Sequence, residues 1–342
     1  MSPGEPLSAK ESCTTALAAS RLPTPAEAHV QSGKALAAAG QYAAALDRFT
    51  QAIALQPACA ENYVDQGNAF SELKQFVAAF ASYEQAIALK PALAAAHWNK
   101  ALLCLLIGDY ESGWALFQWR WRLKPFLAAK ACADQVAPQW LGAEPLVGKT
   151  ILLRAEQGLG DTLQFVRYVE PLLALGARVF LEVPEGLREL FKPLAGRVGL
   201  CQRGGPFPAH DYYCHLLSLP LAFQTRLAPM PPPRVYLVSD PGKRRCWAER
   251  LGPKQRPRIG LVWSGNPQHK NDHKRSLPLG ELLPRLPAGC DYVSLQKALR
   301  EGDLALLDEA GIRHFGDELK DFADTAALCD LMDVVISVDT SV

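Results

Sequence analysis

The sequence predicts an array of paired helices followed by an α/β region built as two successive lobes. Three observations carry that expectation. Residues recur at a fixed step of 34 through the first third of the chain. From Lys149 onward, short apolar runs alternate with amphipathic stretches, the signature of strand then helix. The proline-rich stretch "APMPPPRVYL" then divides this second region into two series.

Residues 1–23, "MSPGEPLSAKESCTTALAASRLP", lack the basic start and unbroken apolar run of a secretory signal and are expected to be a disordered leader. Residues 24–126 hold the repeats. Pro23, Pro57, Pro91 and Pro125 keep the step, as do Gly33 and Gly67; Tyr42, Phe76 and Tyr110; Ala45, Ala79 and Gly113; and Phe49, Tyr83 and Phe117. Small residues let two helices approach, aromatics fill the space between units, and proline ends the second helix because it lacks an N–H. "GQYAAALDRFTQAIALQP" and "KQFVAAFASYEQAIALKP" show the pattern fully. On these positions the segment resembles the tetratricopeptide-repeat family. That resemblance implies stacked helical hairpins whose concave face holds a peptide or another domain.

The third unit departs from the pattern, with Arg120 where an alanine is usual, and runs into "GWALFQWRWRLKPF". At helical spacing, Trp114, Phe117 and Trp121 share one face, which is either an aromatic ligand platform or the seal that closes the array. Residues 127–148 are expected as a linker. Residues 149–240 form the first lobe, with "KTILLR" and "ARVFLEV" as buried parallel strands and "DTLQFVRYVEPLLALG" as a helix. A connecting helix around Trp247 occupies 241–256. Residues 257–342 form the second lobe, with strand "RIGLVW", helix "FADTAALCDLMD" and a buried strand in "VVISVDTSV". Two sequential lobes of this kind place the carboxyl ends of their strands on a shared cleft, where ligands sit.

Composition narrows the function. A formal net charge of +1 provides no overall field toward nucleic acid or anionic membrane. The nine cysteines are scattered without a C-x-x-C pair, so neither a disulfide framework nor a zinc site is signalled. They fit buried thiols of a cytoplasmic protein, and no run approaches the length of a membrane span.

Three loops could carry chemistry. In "RAEQGLGDTLQF", Gly158 and Gly160 permit a tight turn, Gln157 lies beside it, and Asp161 is placed either to cap the following helix or to take a proton from a hydroxyl. Leu163 stands where a dinucleotide fingerprint needs its third glycine, which argues against a nicotinamide-dependent oxidoreductase. In "LVWSGNPQHKNDHKRSLPL", Ser264, Gly265 and Asn266 make a polar turn, followed by Lys270, Lys274 and Arg275. Bases greatly outnumber acids from Gly242 to Arg275, so the loop suits a diphosphate or is a solvated basic surface. In "SVDTSV", the hydroxyls and N–H groups of Asp339, Thr340 and Ser341 suit phosphate oxygens at a strand end.

Together with the repeats, "LLRAEQGLGDTLQFVRY", "GLVWSGNPQHKNDHKRSLPL", "VSLQK" and "DFADTAALCDLMDVVISVDTSV" resemble bacterial tetratricopeptide proteins carrying a glycosyltransferase domain. That domain is similar to the lipopolysaccharide heptosyltransferases and, more distantly, to the protein O-linked N-acetylglucosamine transferases. The resemblance implies a GT-B fold and a nucleotide-sugar donor held mainly by the second lobe. It implies inversion without a bound metal or other cofactor, and transfer to a protein or glycan. It makes Asp161 of "LGD" the general base, with Gln157, Gly158 and Gly160 on the substrate. Ser264, Gly265, Asn266, Lys270 or Lys274, Arg275, Asp339, Thr340 and Ser341 are assigned to the donor. In the resembling proteins the "VDTSV" strand runs on into a helix, so this chain is expected to be truncated and its second lobe incomplete. The alternative is an interaction scaffold whose repeats bind a partner while the α/β part is a non-catalytic companion.

Overall fold

A computed structural model describes residues 22–124, 137–226, 235–268 and 272–341. The chain divides into two compact units, Met1–Lys124 and Pro125–Val342. The leader expected at 1–23 lies, up to residue 21, outside the described residues, as does Pro125.

The first unit is a run of helical hairpins: α1 (Pro25–Ala38), α2 (Tyr42–Leu55), α3 (Ala60–Glu72), α4 (Phe76–Leu89), α5 (Ala94–Leu106) and α6 (Tyr110–Phe117). At its start the Glu27 N–H donates to the Thr24 hydroxyl at 3.3 Å and the Thr24 N–H donates to the Glu27 carboxylate at 2.7 Å. This reciprocal cap, with Pro25 in the first helical position, fixes where α1 begins. Helices α2 and α4 stop just short of Pro57 and Pro91, whose rings disfavour helical geometry in the residue before them. The 34-residue step has a packing cause. A Cβ on Gly33 would lie 2.6 Å from Phe49, and one on Gly67 would lie 2.5 Å from Tyr83. The same ring therefore fills the same hydrogen-sized gap in consecutive repeats. Ala45, Ala52, Ala79 and Ala86 are fully buried, as close helix approach requires.

The third repeat differs from the expectation. Helix α6 ends at Phe117 and passes into a 3-10 turn, Gln118–Arg122, so Trp121 does not continue the helical face of Trp114 and Phe117. The tighter turn advances each residue by about 120° rather than 100°. Phe117 meets Trp98 and Trp114 at 4.7 and 5.4 Å, while the buried Arg120 guanidinium lies 4.1 Å from the Trp121 ring. Arg120 has replaced a small residue and fills its place by stacking.

The second unit holds two sheets. The first comprises β1 (Thr150–Arg154), β2 (Arg178–Val183), β3 (Gly199–Gln202) and β4 (Tyr212–His215), ordered β3-β2-β1-β4 and parallel throughout. After β1 come α7 (Leu159–Phe165), a 3-10 turn (Val166–Tyr168) and α8 (Val169–Ala174). The single helix expected there is broken because Pro171 cannot donate to residue 167 and its ring crowds that carbonyl. Short helices α9 (Arg188–Phe191) and α10 (Leu219–Ala222) follow β2 and β4. Ile151, Leu153, Leu181 and Cys214 are fully buried, as strands covered on both faces should be.

Within residues 137–148, expected as part of a linker, the stretch 138–140 pairs with this sheet's edge. The Trp140 N–H donates to the Tyr213 carbonyl at 2.8 Å and the Tyr213 N–H donates to the Pro138 carbonyl at 3.1 Å. Gly142 then turns at φ +99°, where a Cβ would sit 2.2 Å from the Ala222 carbonyl oxygen, so glycine is required there.

The connecting helix α11 (Pro241–Leu251) is capped by Asp240, which accepts the Lys243 N–H at 2.7 Å. The second sheet follows with β5 (Arg258–Val262), α12 (Asp272–Arg275), α13 (Leu279–Leu282), β6 (Asp291–Ser294), α14 (Asp303–Glu309), β7 (Arg313–His314), α15 (Phe322–Cys329) and β8 (Val334–Ser337). Its order is β7-β6-β5-β8, again parallel throughout. The two sheets therefore repeat one topology. They differ at the outer strand: the strand expected to be buried, β8, leaves Val334, Val335 and Ile336 exposed at 52, 37 and 41 %. Among the described residues β8 pairs with β5 on one side, and no element like the 137–140 segment lies along its other side.

Cysteine burial also departs from expectation. Of the described cysteines, Cys104 and Cys214 are buried but Cys246 is exposed. Among the described residues, no helix is long and apolar enough to cross a membrane.

Candidate functional site

In a parallel sheet ordered 3-2-1-4, the chain leaves the first strand in one direction and returns on its other side, opening a crevice at the carboxyl ends of the first and fourth strands. Every loop singled out in the sequence leaves such a strand. Gln157 to Asp161 follow β1, Ser264 to Asn266 follow β5, and Asp339 to Ser341 follow β8. The loops after β1 and β8 meet across the two sheets: a Cβ on Gly160 would lie 3.5 Å from the Cβ of Ser341.

In the β1 loop, Gln157 adopts φ +58°, a left-handed conformation that costs a non-glycine residue about 1 kcal/mol or more. Gly158 is the residue that caps α7, so Asp161 occupies the third helical position rather than the cap itself. Its carboxylate reaches back to accept the Gly158 N–H at 2.9 Å. Glycine has no side chain to return that bond, so only half of a capping box is present. Burial raises the Asp161 pKa above the ordinary aspartate value, the Gly158 N–H opposes the shift, and the negative charge of Asp339 adds to it.

This direction has a consequence for stability. An aspartate raised in the fold is protonated alike in both states at low pH; as pH rises past the ordinary value the unfolded state ionises first, and stability is lost up to the raised value. Asp161→Asn should therefore gain stability relative to the wild type at pH 7 and none at pH 3, measured by urea unfolding. An unchanged difference between the two pH values would refute the shift.

Beneath the β1 loop is a residue the sequence reading passed over. Glu156 is buried and accepts the Leu217 N–H at 3.2 Å, tying the end of β1 to the segment after β4. A carboxylate directly after an apolar run was the only sequence signal for it.

The β5 loop is held by its neighbours. The Gln296 side chain, just beyond β6, accepts the N–H groups of Trp263 and Ser264 at 3.3 and 3.2 Å and donates to the Ser264 carbonyl at 2.9 Å. The Gly265 N–H donates to the Ser276 hydroxyl at 3.0 Å, and that hydroxyl donates to Asp272 at 2.6 Å. Arg300 donates to the Ser276 oxygen at 2.9 Å and pairs with Asp272. The Ser276 hydroxyl and the Arg300 guanidinium hold Asp272 below the usual carboxylate range. Gln296, Ser276, Asp272 and Arg300 were not singled out in the sequence, although "VSLQK" contains the first of them.

Gln296 and Arg300 border a cavity of about 300 Å³, lined also by Ser264, Gly265, Asn266 and Thr340 with apolar flanks from Val262, Pro267 and Leu299. Of the expected donor residues, Ser264, Gly265, Asn266 and Thr340 face it. Asp161, Lys274, Arg275, Asp339 and Ser341 do not line it. Arg275 is turned to Asp339, with Nε 3.1 Å from a carboxylate oxygen and a further bond to the Asp339 carbonyl. Lys274 is exposed on α12, and Lys270 lies outside the described residues. Lys297, beside the cavity, donates its ammonium to the Gly316 and Leu319 carbonyls and so buttresses the loop after β7.

No family model matches the chain. Protein FlbA of Caulobacter vibrioides is 28% identical over an alignment of 225 residues that covers 58% of this chain. The chain spans 37% of that relative's length. The first TPR of Spaghetti (RPAP3), solved bound to an HSP90 peptide, is similar over 31% of this chain and 89% of its own, at 20% identity and a TM-score of 0.29. MamA is similar over 30% of this chain and 61% of its own, at 23% identity and a TM-score of 0.28. This chain joins helical hairpins that repeat at a 34-residue step to two parallel four-stranded sheets.

Proposed function

We propose that the second unit is a glycosyltransferase-type nucleotide-sugar site and that the helical hairpins bind a protein or peptide partner. One observation carries the first part. Two sheets of identical order bring their switch-point loops together, one with a carboxylate of raised pKa at Asp161 and the other with a cavity of about 300 Å³. Such a crevice suits a ligand with an apolar-faced ring system at one end and a reacting carbon at the other.

In this reading, the nucleoside occupies the cavity beside Gln296 and Thr340, the diphosphate lies toward Ser341 and Arg275, and Lys270 or Lys274 supplies a further cation. Ser264, Gly265 and Asn266 shape the cavity wall. Asp161 accepts the proton of an acceptor hydroxyl as its oxygen attacks the sugar's anomeric carbon. The nucleotide diphosphate leaves with the bonding electron pair, and nearby positive charge stabilises it. A pKa above the ordinary aspartate value makes Asp161 a stronger proton acceptor. Gln157, Gly158 and Gly160 hold the acceptor side of the crevice.

The test is Asp161→Asn with a nucleotide sugar and no added divalent ion. Transfer should fall by at least about a hundredfold, the usual contribution of a positioned base, while donor affinity is retained. Unchanged turnover in the variant removes Asp161 from this role.

A second reading has its own support. The N–H groups of Trp263, Ser264 and Gly265 are already donated within the protein, and Arg275 is paired with Asp339. These engagements favour a non-catalytic companion to an interaction scaffold. Calorimetric titration with UDP-, GDP- and ADP-sugars separates the two: heat of binding supports the transferase reading, and silence across the panel supports the scaffold.

A further inference from the structure

We propose that Asp339 is a built-in occupant of the anion position beside Arg275, so that a diphosphate enters the second lobe by displacing one of the protein's own carboxylates. The inference rests on reading that lobe as a nucleoside-diphosphate site. It reassigns Asp339 from a ligand contact to a competitor of the ligand.

The geometry of the pair points to this role. Arg275 ends α12 behind the β5 loop, and Asp339 opens the loop after β8, so the ion pair bridges the two sides of the switch point. The guanidinium also bonds the Asp339 carbonyl, which fixes the arginine's aim independently of the carboxylate. Exposure of the two partners is unequal: the Arg275 side chain retains 30 % of its surface and that of Asp339 retains 85 %. A largely covered cation is therefore partnered by an anion standing mostly in water. Because the acid stands in water, the pair contributes little more than a surface one, about 0–1 kcal/mol, and its rupture costs little. The other acid of this loop is committed elsewhere, since Asp272 is engaged by Ser276 and Arg300. Asp272 feels the charge of Arg275 as well, but Asp339 is the acid in contact with its guanidinium.

A carboxylate here also selects among ligands. An incoming anion must outcompete it for the guanidinium and then tolerate a negative neighbour, which a doubly charged, bidentate diphosphate does better than a singly charged group. Because Ser341 touches the Gly160 loop, displacement of the Asp339 segment would reach the first lobe directly.

The experiment is equilibrium binding of UDP, GDP and ADP to the full chain as wild type, Asp339→Asn and Arg275→Gln, alone and combined. Asp308→Asn, an exposed acid on α14, controls for net charge. Asp339→Asn should bind the preferred nucleotide at least about threefold more tightly. That gain should shrink in about 0.5 M salt, where exposed charges are screened. It should vanish when Arg275→Gln is also present, and Asp308→Asn should match the wild type. Equal or weaker binding by Asp339→Asn, with the wild type still binding, overturns the displacement idea and leaves the site standing. No nucleotide binding by any variant overturns the site, and the displacement idea with it.

Discussion

Gln296→Leu should lower the stability of the second unit by about 3 kcal/mol or more, and its thermal midpoint by about 6–12 °C. The side chain is 7 % exposed and satisfies two backbone N–H groups and one carbonyl at the end of β5. Leucine fills a similar volume but answers none of them. Each buried polar group left without a partner costs about 1–3 kcal/mol, and recapture by water offsets part of the sum. The same substitution should loosen the β5 loop, so hydrogen exchange at Trp263 and Ser264 is expected to accelerate beyond the global change. A midpoint within about 1 °C of the wild type would mean that the amide does not hold the loop.

Glu182→Leu should cost about 3–5 kcal/mol, and adding Arg154→Met should restore most of it. The pair joins neighbouring strands β1 and β2 with Arg154 Nε 2.7 Å from the carboxylate, and the side chains are only 11 % and 3 % exposed. The guanidinium also lies 4.6 Å from the Phe207 ring. Removing the acid leaves a charge with little water around it, whereas replacing both partners by apolar side chains removes the desolvation cost along with the attraction. Urea unfolding of the two single variants and the double variant measures this as a coupling. If Glu182→Leu alone changes stability by less than about 1 kcal/mol, water reaches the pair and it is not a buried one.

Both predictions concern interactions that no single stretch of sequence contains. Gln296 lies more than thirty positions from the groups it satisfies, and Glu182 lies 28 from Arg154. Local pattern fared better where the forces are local. The 34-residue step was legible because Gly33 and Gly67 each meet a ring sixteen residues on, and one contact repeated leaves one spacing repeated. The main strands of both lobes were legible because burial on both faces requires unbroken apolar runs such as "TILLR" and "RIGLV". The break between α7 and α8 was also available, since Pro171 marks it. The aromatic face was misread because a period of 3.6 was assumed through a segment that turns with a period of 3.

The candidate site divides in the same way. The loops around Asp161, Ser264 and Asp339 could be located because glycines and short polar residues after an apolar run mark a strand's carboxyl end. Their engagements could not be. The sequence offered Asp161 as a cap, but the chain path made Gly158 the cap and left Asp161 reaching back to it. It offered a cluster of cations for an anion, but the fold turned Arg275 onto Asp339.

By itself, then, the sequence determined the class of each unit, the repeat step, the principal strands and the loops that end them. These follow from side-chain size, hydrophobic period and backbone restriction acting over a few residues. Tertiary structure alone decided which loops meet, that Gln296 supports the β5 loop, and that Asp339 partners Arg275. Charge pairing and burial depend on distance in space, and a sheet ordered β7-β6-β5-β8 sets residues from opposite ends of a lobe side by side.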